Sequence, residues 1–181
     1  MNREVPRIKT ARLVLRPPAR EDFDPWAAFM ADPECTRFLG GTQPRATAWR
    51  SFLSVVGAWS IQGFGMFSVI ERESGEWVGR LGPWMPEEWP GPEVGYAIAR
   101  SRWGRGYATE GAAAAIDWAF DALGWTEVIH CIDPENAPSI AVAERLGSRR
   151  RGPVRLPPPL DVTVDAWGQT REEWRARRPA T

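Results

Sequence analysis

The chain has 181 residues, 43% of them hydrophobic and 25% charged, enough length and apolar content for one folded domain, taken here as residues 1–181. Its 23 basic and 23 acidic side chains cancel, which removes the positive field that a general nucleic-acid binder carries. No apolar run reaches the roughly 20 residues that cross a bilayer, and residues 1–6 lack an apolar secretory segment, so a cytoplasmic location with no membrane partner is expected.

Alternation over residues 11–16 predicts a first strand, halted by Pro17 and Pro18. A helix is predicted over 21–31 with Phe23, Trp26, Ala27 and Met30 on one stripe, and a second over 44–62 with Trp49, Phe52, Leu53, Val56 and Ser60 at helical spacing. Residues 64–71 and 76–81 read as a hairpin joined at Glu73-Ser74-Gly75. Four prolines punctuate residues 82–92, which predicts a loop. A strand is expected over 93–100, a helix over 108–123 facing inward through Ala112, Ile116, Ala119, Phe120 and Leu123, and a strand over 126–132. A short helix over 136–146 stops at Gly147, strands follow near 149–154 and 161–167, and a charged helical end spans 170–178. The order β-α-α-β-β-β-α-β-α-β-β predicts a mixed α/β fold.

Residue scarcity excludes several chemistries. Lys9 is the only lysine and lies outside any glycine loop, so neither a Walker-type phosphate loop nor a Schiff-base lysine is expected. One histidine (His130) and two cysteines (Cys35 and Cys131) cannot assemble a zinc site of the usual spacing, so no metal is expected. The use of Arg over Lys fits a GC-rich bacterial source.

The most informative run is Ser101-Arg102-Trp103-Gly104-Arg105-Gly106-Tyr107-Ala108-Thr109-Glu110-Gly111. It joins a predicted strand to a predicted helix. Glycines there let backbone N–H groups converge on one point, and a helix N-terminus adds roughly half a positive charge, a combination that binds phosphate. A Rossmann-type nucleotide site is disfavoured by the absence of an acidic residue at the required spacing.

This run, with Asn136-Ala137-Pro138-Ser139 and Glu144-Arg145-Leu146-Gly147 after the next strand, resembles the GNAT superfamily of acetyl-CoA-dependent N-acetyltransferases. Thr10 to Arg16 and Thr170 to Trp174 fit its RimJ/RimL-type branch, the ribosomal-protein N-terminal acetyltransferases, and the likeness spans nearly the whole chain. The resemblance implies a mostly antiparallel central sheet with a splayed parallel strand pair, flanked by helices. It implies acetyl-CoA as acetyl donor, an amine acceptor (a protein N-terminus or a small molecule), and a homodimer as the family habit. By the same resemblance, amides of Trp103, Gly104, Arg105, Gly106, Tyr107 and Ala108 cradle the pyrophosphate and Thr109 adds a hydroxyl. The backbone of Ile98, Ala99 and Arg100 pairs with the pantetheine arm, and Asn136 and Ser139 stand near its sulfur end.

Acetyl transfer from a thioester to an amine needs a neutral amine, a stabilised oxyanion and a proton for the thiolate. Glu93, at the start of the cofactor strand, is the leading base, with Glu87, Glu88 or a water as alternatives, and its other reading is a solvated strand end. Where many relatives carry an acid tyrosine this chain has Ala143, so Ser139 stands in as the contact to the thiolate, a role compatible with helix capping. Trp84 and Trp89 read either as an acceptor wall or as loop anchors, and His130 as a structural group. The missing tyrosine also leaves a non-catalytic coenzyme A-binding sensor as the alternative function.

Overall fold

Strand β2 (Leu13–Arg16) shows how the layers are built: Leu13, Val14 and Leu15 are all buried, which requires cover on both faces of the sheet. The computed structural model describes residues 6–177. In chain order its other elements are β1 (Ile8–Lys9), α1 (Phe23–Ala31), α2 (Pro33–Thr36), α3 (Arg45–Ile61), β3 (Phe67–Glu71), β4 (Trp77–Trp84), β5 (Glu93–Ile98), α4 (Tyr107–Ala122), β6 (Glu127–Ile132), α5 (Ala137–Leu146), β7 (Arg149–Arg155), β8 (Thr163–Thr170) and α6 (Arg171–Arg177). One eight-stranded sheet runs β1-β2-β3-β4-β5-β6-β8-β7, antiparallel except for β5 beside β6.

Helix α4 covers one face. Ala112, Ala115, Ile116, Ala119 and Phe120 pack with Leu13, Leu81, Val94 and Val128 in one core cluster. The helix lies so close that a Cβ on Gly111 would come within 2.4 Å of Leu81 Cδ2, so no larger residue fits there without displacement. Helices α1 and α3 form a second cluster on Phe23, Trp26, Phe29, Met30 and Phe52, against which Met66, Trp77, Trp84 and Ala97 pack. The start of α1 is fixed by buried Asp22, which takes both guanidinium nitrogens of Arg16 (2.6 and 2.8 Å), the Ser68 hydroxyl (2.7 Å) and the Ala19 N–H (2.8 Å).

Three expectations change. The buried stripe of α3 is Ala48, Phe52, Val55 and Ala58, the first three packed with α1, while Leu53, turned about 100° round the helix from Phe52, stays 45% exposed. Residues 82–84 belong to β4, with Pro83 level with Val94. Strand β3 reaches only as far as Leu81, so Pro83 lies on a locally open edge where its missing N–H leaves no partner unsatisfied. Two short elements, β1 and α2, carried no sequence signal, and residue 178 of the expected final helix lies outside the described residues. Among the described residues no helix is long and apolar enough to cross a membrane.

Candidate active site

Strands β5 and β6 pair at a single position, Glu93 opposite Ile129, where the Ile129 N–H donates to the Pro92 carbonyl at 2.9 Å. A continuing parallel ladder would next send the Cys131 N–H to the Val94 carbonyl. Side chains satisfy both groups instead. Glu93 Oε1 accepts the Cys131 N–H at 3.2 Å, and His130 Nδ1 lies 2.7 Å from the Val94 oxygen. Both backbone groups of the missing rung are thereby paired without it, which lowers the cost of separating the strands there.

The buried histidine is locked in one state. A carbonyl only accepts, so Nδ1 carries the proton, and Nε2 accepts from the Ser148 hydroxyl at 3.0 Å. Ser148 Oγ in turn accepts from Gln169 Nε2 at 3.0 Å. Burial lowers His130 to about 4, so the ring is neutral near pH 7 and a poor base.

The parted strands enclose a cavity of about 100 Å³, walled by Gly95, Tyr96 and Ala97 on one side and by His130, Cys131, Ile132 and Asp133 on the other. Glu93, Arg80, Met66, Phe38, Leu39, Asn136 and Ser139 complete it. Glu93 is 7% exposed, and its second oxygen accepts from Trp89 Nε1 at 2.6 Å. Burial pushes this carboxyl up to about 7, against the pull of the Cys131 and Trp89 N–H groups and of Arg80. Of the three candidate bases only Glu93 lines the cavity, since Glu87 and Glu88 are exposed on the preceding turn. Trp89 therefore orients the Glu93 carboxylate, while Trp84 packs against the α1/α3 cluster.

Around the glycine turn, Gly104 (φ 73°) and Gly106 (φ 78°) are both left-handed, a conformation that costs glycine nothing. Helix α4 starts with no side-chain cap, and its first internal bond is from the Glu110 N–H to the Gly106 carbonyl, so the N–H groups of Tyr107, Ala108 and Thr109 have no partner within the helix. Arg12 clamps the turn, bonding the Arg105 carbonyl (2.8 Å) and Glu110 (2.7 Å). The Arg105 and Arg102 side chains are already engaged, each pairing with Glu71 (3.6 and 3.5 Å), to which the Tyr107 hydroxyl also donates. The exposed Trp103 donates its indole N–H to the Ile98 carbonyl at 2.7 Å.

Of the strand residues, Ala99 spends its N–H on Val78 at 2.9 Å, which by alternation turns the backbone groups of Tyr96 and Ile98 to the open edge. Arg100 has left the strand for a 3₁₀ turn and lies 3.8 Å from Asp32. Asn136 caps α5 by accepting from the Ser139 N–H at 3.2 Å, with Pro138 in the first turn. The Tyr96 hydroxyl donates to the Ser139 carbonyl at 2.8 Å, so a phenol reaches α5 from the strand side although Ala143 is fully buried alanine. Burial raises Tyr96, which keeps its proton. Arg80 and Tyr96 are site-forming residues that sequence reasoning did not single out, whereas His130, read there as a structural group, holds the parting through Val94 and Ser148. The run Glu93-Val94-Gly95-Tyr96 places a tyrosine three residues after the base candidate, a signal that could have found the second of them.

Known proteins share this fold. The acetyltransferase (GNAT) domain family matches residues 12–149. The chain is 32% identical over 151 residues to the uncharacterized N-acetyltransferase p20 of Bacillus licheniformis, covering 82% of this chain and 85% of that one. An acetyltransferase from Agrobacterium tumefaciens superimposes with a TM-score of 0.82 at 30% identity, over 94% of this chain and 98% of that one. Mycobacterium smegmatis RimJ, solved with CoA-disulfide, shares the fold with a TM-score of 0.69 at 24% identity, over 93% and 85% of the two chains.

Proposed function

The chain belongs to the GNAT acetyltransferase family, and from that premise we propose that it moves an acetyl group from acetyl-CoA to a primary amine by direct attack on the thioester, with Glu93 as the base. The acceptor is a protein N-terminus or a small amine. The observation that carries this reading is the union of a buried carboxyl raised to about 7 with a parted strand pair and an uncapped helix N-terminus. The residues fit the donor: uncommitted N–H groups of Tyr107, Ala108 and Thr109 suit a diphosphate, and the open edge at Tyr96 and the Ile98 N–H suits the amide-bearing arm, the Ile98 carbonyl being taken by Trp103. Acetyl-CoA supplies an activated acyl carbon on a good leaving sulfur.

In the transfer, the bond between amine nitrogen and acyl carbon forms as the carbon–sulfur bond breaks. Glu93 takes the proton from nitrogen, and a carboxyl titrating near 7 is well matched to that task near neutral pH. The carboxylate has lone pairs to spare beyond those engaged by Cys131 and Trp89. With acetyl-CoA bound, the N–H groups on the open edge of β5 would be the donors available to the acyl oxygen. The Ser139 hydroxyl meets the departing sulfur, with Tyr96 and Asn136 fixing the Ser139 backbone.

The test is thiol release from acetyl-CoA across a panel of peptides and small amines, with calorimetry on acetyl-CoA alone. The reading expects amine-dependent release. Binding of acetyl-CoA with no release against any amine would convert the protein into a sensor and overturn the proposal.

A further inference from the structure

One charge in the cavity has no role in the transfer itself. Arg80 lies on β4 level with Ala97 of β5, and its side chain lines the cavity with Glu93, Gly95 and Met66. The residue is half-buried, and a guanidinium with a buried donor is costly unless an anion answers it. Among the described residues none forms an ion pair with Arg80. Its Nε–H is buried without an acceptor, its Nη1 is left with the Met66 sulfur at 3.2 Å, and its central carbon lies 4.8 Å over the Trp26 ring. A thioether and an aromatic face are weak partners for a cation. Arg80 stays charged at neutral pH, although burial lowers it to about 10, and the nearby acid, Glu93, is itself held toward its neutral form. Met66 and Glu93 close over Gly95 beside Arg80: a Cβ on Gly95 would come within 2.9 Å of Met66 Cε and 3.4 Å of Glu93 Oε1, so only glycine leaves both side chains in place.

We propose that Arg80 anchors a carboxylate carried by the acceptor, which is therefore a small amino-acid-like molecule with its amine at Glu93 and its carboxylate at Arg80. The proposal rests on the acetyl-transfer reading above and names the acceptor class within it. A planar guanidinium matches a carboxylate through paired N–H donors, and a ligand oxygen would satisfy the orphaned Nε–H. Phe38, Leu39 and Met66 give the cavity an apolar flank suited to an aliphatic or aromatic side chain.

The experiment compares leucine, methionine and phenylalanine with their amides, by thiol release and by calorimetry on the enzyme–coenzyme A complex, in the wild type, Arg80→Gln and Arg80→Lys. An amide has the less basic amine, so protonation alone favours the amides. The proposal predicts the reverse: the wild type prefers the amino acids by about 30-fold or more in kcat/KM. Arg80→Gln loses that preference through KM, Arg80→Lys keeps part of it, and all three proteins bind coenzyme A alike. An arm that needs no variant uses 4-methylpentanoate, a carboxylate without the amine, which inhibits the wild type competitively with the acceptor while 4-methylpentanamide does not. Equal or better use of the amides overturns the proposal. So does an Arg80→Gln loss in kcat by one factor for every acceptor, which would put Arg80 on the acyl oxygen, or a preference for peptides with an acidic first residue over free amino acids. If no amine releases thiol yet leucine binds in an Arg80-dependent way, acetyl transfer falls and anion binding stands; if leucine also fails to bind, both fall.

Discussion

The two edges of β6 behave differently although the same six residues supply both. Toward β8 the strand pairs along its whole length, from Glu127 opposite Thr170 to Ile132 opposite Asp165. Toward β5 it pairs once. Strand propensity cannot explain this, since Val128, Ile129 and Ile132 favour pairing on either side. The difference lies in two side chains that take over the next rung, His130 on the Val94 carbonyl and Glu93 on the Cys131 N–H. An opening in a sheet can thus be built by side chains that replace backbone partners one for one, and here one replacement is also the proposed base.

Breaking that replacement at Glu93 should have the largest effect. Glu93→Gln keeps an acceptor for the Cys131 N–H but cannot take a proton, so kcat/KM should fall about 100-fold or more while calorimetry finds acetyl-CoA affinity little changed. In the wild type, activity should rise with pH through about 7 as the carboxyl ionises, and the variant should lack that limb when assayed with an amine of low basicity. The same group gives a stability signature of known sign. Folded Glu93 binds its proton more tightly than the unfolded chain does, so its contribution is full below about 4.5 and is lost as pH rises through about 7. The Tm of Glu93→Gln relative to wild type should accordingly be higher at about pH 8 than at about pH 5.

The second replacement is tested by His130→Leu, which leaves the Val94 carbonyl and the Ser148 hydroxyl without their imidazole partner. Urea unfolding should show a loss of about 2–4 kcal/mol. A variant as stable as wild type would mean that the histidine does not hold the parting. Smaller again is Gly106→Ala, where a Cβ meets only the Arg12 guanidinium at 3.5 Å but the residue must hold φ at 78°. Stability should fall by about 1–2 kcal/mol, and calorimetry should show weaker acetyl-CoA binding. Ser139→Ala should be the mildest, a loss of several-fold in kcat, because a thiolate leaves readily without an acid.

The glycine turn was readable from the sequence because it is local: Gly104 and Gly106 are demanded by backbone conformation, and strand, turn and helix follow one another along the chain. The two-layer cover of the sheet was readable in part. The α1 stripe was marked by large side chains, whereas that of α3 rests on Ala48 and Ala58, which carry little hydrophobic signal. The cavity was less readable because its bonds join distant residues: Val94 to His130, Tyr96 to Ser139, Glu93 to Cys131. Glu93 was reached through family likeness. Arg80 offered nothing in sequence to separate it from an arginine on a solvated strand, and only its unpartnered Nε–H distinguishes it.

A crystal structure of the wild type with acetyl-CoA addresses the account at its centre. It should place the diphosphate on the N–H groups of residues 104–109, the thioester between Glu93 and Ser139, and the His130 to Val94 bond unbroken. A closed β5/β6 ladder with the Cys131 N–H on the Val94 carbonyl, or a thioester bound away from Glu93, would contradict it.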